Sequence, residues 1–142
     1  MKCYIYLFRH GQTVDNSNAV FSGWRDSKLD KIGRESANIV ALRLKDKKID
    51  VAFQTKLSRS KDTLNIVLKY HPECKKIITD DRMIERNYGK LQGMSHYDFV
   101  RKKGADLYDK YHRSYNIAPP QGESVKMVEK RVKSFISDLL KL

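Results

Sequence analysis

The sequence has little of what a secreted, membrane-spanning or metal-built protein needs. It holds two cysteines, Cys3 and Cys74, in 142 residues. Two thiols are too few for a disulfide framework, and their separation has no metal-ligand spacing. Cys3 stands in an apolar run and is expected to pack as a small buried hydrophobe. Long apolar runs are missing too. No stretch approaches the ~20 apolar residues of a membrane span, so no membrane partner is expected. The opening Met1-Lys2-Cys3-Tyr4 runs straight into polar residues and does not read as a signal peptide. Repeats, low-complexity tracts and linkers are also lacking. The expectation is one domain over residues 1–142, reduced and cytoplasmic.

Acidic residues are scarce. Seventeen Asp and Glu stand against 29 Lys and Arg, a formal net charge of +12. Such a surface attracts phosphorylated metabolites or nucleic acid, although most single lysines are only solvated surface. The hydrophobic share of 40% is ordinary for a globular domain with a real core.

Along the chain, Cys3–Phe8 is continuously apolar and reads as a strand buried on both faces of a parallel sheet. A polar loop follows through Asn16, Ser17, Asn18, Ser22 and Gly23. Ala37, Val40, Ala41 and Leu44 mark a helix that starts near Gly33. Ile49, Val51 and Phe53 alternate as a second strand. Ser58–Tyr70 reads as a helix ended by Pro72, and Lys76–Thr79 as a short strand. Ser95 caps a helix that runs to Lys103 and stops at Gly104. Asp106–Tyr115 is a second short helix, with Tyr108, Tyr111 and Tyr115 spaced for packing. The last helix carries Val125, Val128, Val132, Phe135, Ile136 and Leu139 as one stripe. The alternation predicts an α/β, three-layer sandwich with a mainly parallel sheet. After the final helix that rhythm asks for a further strand.

Chemistry concentrates at three places. Arg9-His10-Gly11 directly follows the first strand, at the sheet edge where open α/β sheets bind ligands. Arg9 offers a fork suited to phosphate oxygens. His10 can attack phosphorus if it is neutral and its second nitrogen donates to a backbone acceptor. Gly11 allows a tight turn and a close approach to a ligand. Arg59 follows the second strand at a helix N-terminus, which itself favours anions. Two arginines and a helix end around one histidine make a phosphoryl-transfer pocket. Glu85, in Arg82–Gly93, is the candidate proton donor and acceptor, and needs partial burial to hold a proton near neutrality. Alone, it reads equally as a salt-bridge partner of Arg82 or Arg86.

Arg9-His10-Gly11-Gln12-Thr13 with Asn16 resembles the signature of the histidine phosphatase (phosphoglycerate mutase-like) superfamily. Phe21-Ser22-Gly23-Trp24, Glu85 to Gly93, and Arg113-Ser114-Tyr115 with Pro119-Pro120 are similar to its cofactor-dependent phosphoglycerate mutase branch. The resemblance implies that His10 is the phosphorylated nucleophile, that Arg9 and Arg59 grip the phosphoryl group with Asn16, and that Glu85 is the acid–base. It implies substrate contacts from Ser22 and Gly23, and anion contacts from Arg86, Tyr88 and Arg113. It also implies no metal, priming by 2,3-bisphosphoglycerate, a small phosphorylated substrate, and interconversion of 2- and 3-phosphoglycerate in glycolysis and gluconeogenesis.

Three departures from the family pattern matter. The family carries a second histidine, in a His-Gly pair on a strand after the last long helix. The sequence ends at Leu142 without one, and His71, His96 and His112 lie in no such motif. The expectation is an N-terminal portion of a longer protein, with C-terminal strands absent, most activity lost and one apolar, aggregation-prone sheet edge. Ser95 and His96 stand where mutases carry a lysine after the glycine matching Gly93. His96 replaces that cation only when protonated, and reads equally as a helix-surface histidine. His112 replaces the first of two adjacent arginines before Ser114, and Pro119–Ser124 is short, as in phosphatase-like members. A histidine phosphatase hydrolysing monoesters is therefore the alternative within the family. An inactive anion- or nucleic-acid-binding module is the alternative outside it, but no basic stripe interleaved with stacking aromatics supports specific nucleic-acid binding. Self-association into a homo-oligomer stays open.

Overall fold

The structure, a computed structural model, describes residues 3–142; Met1 and Lys2 lie outside it. Its centre is a parallel pair of strands, β1 (Val51–Gln54) and β2 (Lys76–Thr79), in register from Val51 opposite Lys76 to Gln54 opposite Thr79. A helix joins them in the usual crossover, α3 (Ser58–Leu68). Before β1 come a short α1 (Val14–Ser17) and α2 (Lys31–Leu44). After β2 come 3-10 turns at Asp81–Met83 and Gly89–Leu91, then α4 (His96–Lys103), α5 (Ala105–Arg113) and α6 (Val125–Leu139). A small parallel sheet with helices packed on it is the α/β class expected. Among the described residues, no helix is long and apolar enough to cross a membrane.

The helix starts follow capping chemistry. Asp30 accepts from the Gly33 amide and opens α2 at Lys31, two residues ahead of the apolar pattern. Ser95 and Ser124 cap α4 and α6 in the same way, and Gly104 at φ 88° stops α4. α1 was expected as loop. Its signal is a reciprocal cap: Thr13 Oγ1 accepts from the Asn16 amide while Asn16 Oδ1 accepts from the Thr13 amide. Four residues are too few to show an apolar period.

Two apolar groups hold the elements together. Ala37 and Ala41 of α2 are buried with Leu64 and Val67 of α3, and small alanines let these two helices approach closely. α6 lies against β1, with the rings of Phe135 and Phe53 edge to face at 5.3 Å. Phe135 is the buried member of the α6 stripe; Val125 and Ile136 remain exposed. The second group surrounds Phe21, Leu91 and Phe99, with Tyr88, Leu107, Tyr108 and Tyr111 packed on it. Tyr115 instead is exposed and donates to Glu129.

The apolar run Cys3–Phe8 corrects an expectation. It forms no strand among the described residues. The only ladder there joins β1 to β2, so this run has no strand to pair its backbone. Tyr4, Ile5 and Leu7 are exposed, Leu7 at 91%, and Cys3 is exposed rather than buried.

The segment after this run is held tightly all the same, by a backbone contact between two glycines. A Cβ on Gly11 would lie 2.2 Å from the Gly33 carbonyl oxygen, and one on Gly33 would lie 2.0 Å from the Gln12 carbonyl oxygen. The close approach foreseen for Gly11 is thus made to the first turn of α2. Gln12 reinforces it, donating through Nε2 to Asp30 at 2.8 Å and accepting from the Asp30 amide at 3.1 Å. Gly33→Ala is expected to destabilise the protein by at least about 1–3 kcal/mol, the usual cost of forcing atoms into a filled space. A urea titration of both proteins measures it, and an unchanged midpoint would show that the contact is looser than described.

Candidate functional site

His10 leaves the unpaired N-terminal run just before this glycine contact and is half-buried. Its Nδ1 lies 2.7 Å from the Gly11 carbonyl oxygen. A carbonyl only accepts, so Nδ1 carries the proton and Nε2 keeps its lone pair. Gly11 is fixed in turn, its amide donating to Thr63 Oγ1 at 3.1 Å, while that hydroxyl donates to the Arg59 carbonyl at 2.8 Å. Burial pushes the His10 pKa below the ordinary 6.5; the Gly11 hydrogen bond opposes this, Arg59 and Arg9 add to it, and Glu85 works against it. A neutral imidazole with one nitrogen occupied and one available is what nucleophilic attack requires.

A cavity of about 290 Å³ is lined by Arg9, His10, Gln12, Asn16, Ala19, Val20 and His96. The structure thus brings Arg9, His10 and Asn16 to one space. Arg9 is exposed, and no hydrogen bond occupies its guanidinium among the described residues. Asn16 spends its Oδ1 on the Thr13 amide, which leaves its Nδ2 to donate. Arg59 does not line this cavity. It is only 2% exposed and donates through Nη1 to the Arg25 carbonyl at 2.8 Å and through Nη2 to the Gly23 carbonyl at 2.7 Å. Burial works against its charge, and the carboxylates of Glu85, Asp26 and Asp15 sustain it. Arg59 therefore supplies a fixed positive charge close to His10 and also shapes the Gly23 loop.

The other predicted residues divide. Ser22 has a buried hydroxyl with no hydrogen-bond partner, and Gly23 offers its carbonyl to Arg59. Glu85 is exposed rather than partly buried, and its Oε1 accepts from the Arg86 amide at 2.7 Å. It makes no salt bridge to Arg82 or Arg86 among the described residues. Its charge nonetheless bears on His10, Arg59 and Tyr88. Tyr88 is half-buried, with the Arg86 guanidinium carbon 5.1 Å from its ring centre. Arg86 departs most from expectation. Its fork donates to the carbonyls of Glu123, His112, Tyr111 and Ile117, so it ties chain segments together instead of facing a ligand. Arg113 is exposed, outside the cavity, and paired with Asp109 at 3.3 Å.

His96 is the residue that sequence reasoning left undecided. It lines the cavity with His10, stacks on Phe21 at 3.9 Å between ring centres, and shares a 2.9 Å hydrogen bond between Nδ1 and the Tyr108 hydroxyl. Burial lowers its pKa first, and the nearby His112 adds to the effect. It is a wall of the cavity, not a helix-surface histidine. Thr63 and Gln12 were missed as supports; the spacing of Thr63, one helical turn beyond Arg59, is the signal that points to it. No group of three or more His, Cys, Asp or Glu residues is placed to hold a metal ion among the described residues.

Known proteins share this arrangement of chain. The phosphoglycerate mutase of Schizosaccharomyces pombe is 38% identical over 131 residues, covering 90% of this chain and 62% of its own length. The 2,3-bisphosphoglycerate-dependent phosphoglycerate mutase of Parvibaculum lavamentivorans is 39% identical over 131 residues, with the same 90% and 62% coverage. Among solved structures, phosphoglycerate mutase from Bacillus anthracis matches with a TM-score of 0.73 at 27% identity, over 92% of this chain and 64% of that one. A mycobacterial glucosyl-3-phosphoglycerate phosphatase in complex with VO3 matches with a TM-score of 0.82 at 26% identity, over 93% and 62%. The chain thus spans less than two thirds of the length of these relatives. The sequence pattern of the histidine phosphatase superfamily (branch 1) runs from residue 5 to residue 142, and the chain belongs to that superfamily.

Proposed function

We propose that the protein transfers phosphoryl groups through phospho-His10, interconverting 2-phosphoglycerate and 3-phosphoglycerate in the cytoplasm, as a step of glycolysis and gluconeogenesis. The observation that carries this reading is the His10 imidazole, whose Nδ1–H is spent on the Gly11 carbonyl at 2.7 Å while the ring lines a cavity with Arg9 and Asn16. Nε2 attacks phosphorus and the phosphorus–ester oxygen bond breaks. The departing oxygen takes a proton from Glu85, which is exposed and holds that proton only where a bound anion covers it. In the return step a substrate hydroxyl gives its proton to Glu85 and accepts the phosphoryl group from Nε2. Arg9, Asn16 and the fixed charge of Arg59 balance the equatorial oxygens in both directions.

The residues present fit a small polyanionic primer. Arg9 and the Asn16 amide are donors lining the cavity, and His96 is a titratable group on the same space. 2,3-Bisphosphoglycerate would supply the phosphoryl group that first charges His10. The relatives named as 2,3-bisphosphoglycerate-dependent mutases support this choice.

A phosphatase is the second reading, favoured by the likeness to glucosyl-3-phosphoglycerate phosphatase and by the exposure of Glu85 to water. Incubation with 3-phosphoglycerate and a trace of 2,3-bisphosphoglycerate separates the two. The mutase reading expects 2-phosphoglycerate without free phosphate; free phosphate alone would remove it. His10→Ala is expected to abolish acid-labile phosphate incorporation from labelled bisphosphoglycerate, and retained label would move the nucleophile elsewhere. Because burial holds its pKa below the ordinary 6.5, His10 is mostly neutral at and above neutral pH. The labelling rate is expected to lose its His10-dependent part only at lower pH. A decline that begins above neutrality would contradict the lowered pKa.

A further inference from the structure

Arg131 stands on α6, outside the cavity, yet its guanidinium reaches the chain that carries Glu85. Nε and Nη2 donate to the two Glu123 carboxylate oxygens at 3.0 and 2.9 Å. Nη1 donates to the carbonyls of Arg82 and Ile84 at 2.8 and 2.7 Å, and Nη2 to the carbonyl of Glu85 at 3.1 Å. Those five bonds use every donor the side chain has. Three carbonyls within four residues therefore hang on one rigid fork. Glu123 extends the strap, since its Oε2 also accepts from the Asn87 amide at 2.9 Å. The two side chains are 17% and 13% exposed. A largely buried polar group with its donors satisfied rigidifies what it holds.

A second donor meets the same carbonyl. Trp24 Nε1 donates to the Glu85 carbonyl at 2.7 Å. Trp24 belongs to the loop whose Gly23 carbonyl is held by Arg59, so the Glu85 backbone is fixed between α6 and the site loop. The Glu85 side chain itself is exposed and bonded to the neighbouring Arg86 amide. Its place is set by the backbone from which it projects.

We propose that Arg131 and Trp24 are positioning residues that hold the Glu85 carboxylate within reach of His10 by clamping the Glu85 carbonyl. The proposal rests on the reading of Glu85 as the acid–base of the site. Small displacements of a catalytic group lose much of its effect, so a clamp on the backbone acts directly on the chemistry. Because the Glu85 charge raises the proton affinity of His10, the titration of His10 reports where Glu85 sits, and needs no turnover.

The test is a double-mutant cycle on the full chain, following the His10 ring by NMR titration in wild type, Glu85→Gln, Trp24→Phe and the double variant. Glu85→Gln removes the carboxylate and is expected to lower the His10 pKa. Trp24→Phe keeps an aromatic ring and removes one N–H; it is expected to shift His10 in the same direction, by less, and to do nothing further once Glu85→Gln is present. Arg131→Lys keeps the charge and loses the fork, and is expected to behave the same way. No shift from both single clamp variants, or equal shifts with and without Glu85→Gln, would overturn the clamp. A His10 titration indifferent to Glu85→Gln would instead refute the acid–base reading beneath it.

Discussion

The site depends on the backbone of one residue, Gly11, held at both its amide and its carbonyl. Its amide is fixed by Thr63 from α3 and its carbonyl receives Nδ1–H of His10. The first bond sets where the loop lies and the second sets which imidazole nitrogen is available. Neither would persist if the loop could lift from α2, and the Gly11–Gly33 contact prevents that because no side chain separates the two backbones. Thr63 passes the constraint on to Arg59, whose carbonyl it holds. Nucleophile, tautomer and the nearby positive charge thus share one short chain of hydrogen bonds, and a change at any member is felt at His10.

A chain with a net charge of +12 would be expected to point its arginines at an anion. Several of the least exposed ones do something else. Arg59, Arg86 and Arg131 all donate to backbone carbonyls of loops or, for Arg86, also of the last turn of α5. Such segments have buried carbonyls that no helix or sheet satisfies, and a planar fork can serve several at once. Arg59 combines this role with its charge near His10. Arg86 spends four of its five donors on four carbonyls, and this separates it from Arg9, which is exposed on the cavity wall. Burial, more than charge, decides which arginine supports the fold and which meets the ligand.

Much of this was legible in the sequence. The cap at Ser95, the stop at Gly104 and the β1–α3–β2 crossover all follow local rules, and the structure keeps them. So does the tautomer of His10, which attack on phosphorus demands. The misreadings share a cause. Cys3–Phe8 has the composition of a buried strand, but burial needs a neighbour, and composition cannot supply one. Glu85 was placed by its motif, yet its exposure depends on how the loop lies against α6. The fork of Arg86 was assigned to a ligand because sequence does not reveal which carbonyls a loop leaves unsatisfied. Arg131 was invisible for the same reason, since the three carbonyls it holds lie 46 to 49 positions away.

The most direct test of the central constraint is the proton position on His10. Long-range nitrogen–proton NMR of the ¹⁵N-histidine-labelled protein at neutral pH distinguishes the two neutral tautomers. The hydrogen bond to Gly11 predicts a proton on Nδ1 and an unprotonated Nε2. A proton on Nε2 at that pH would mean the imidazole is turned or released, and the phosphohistidine account would lose its geometric basis.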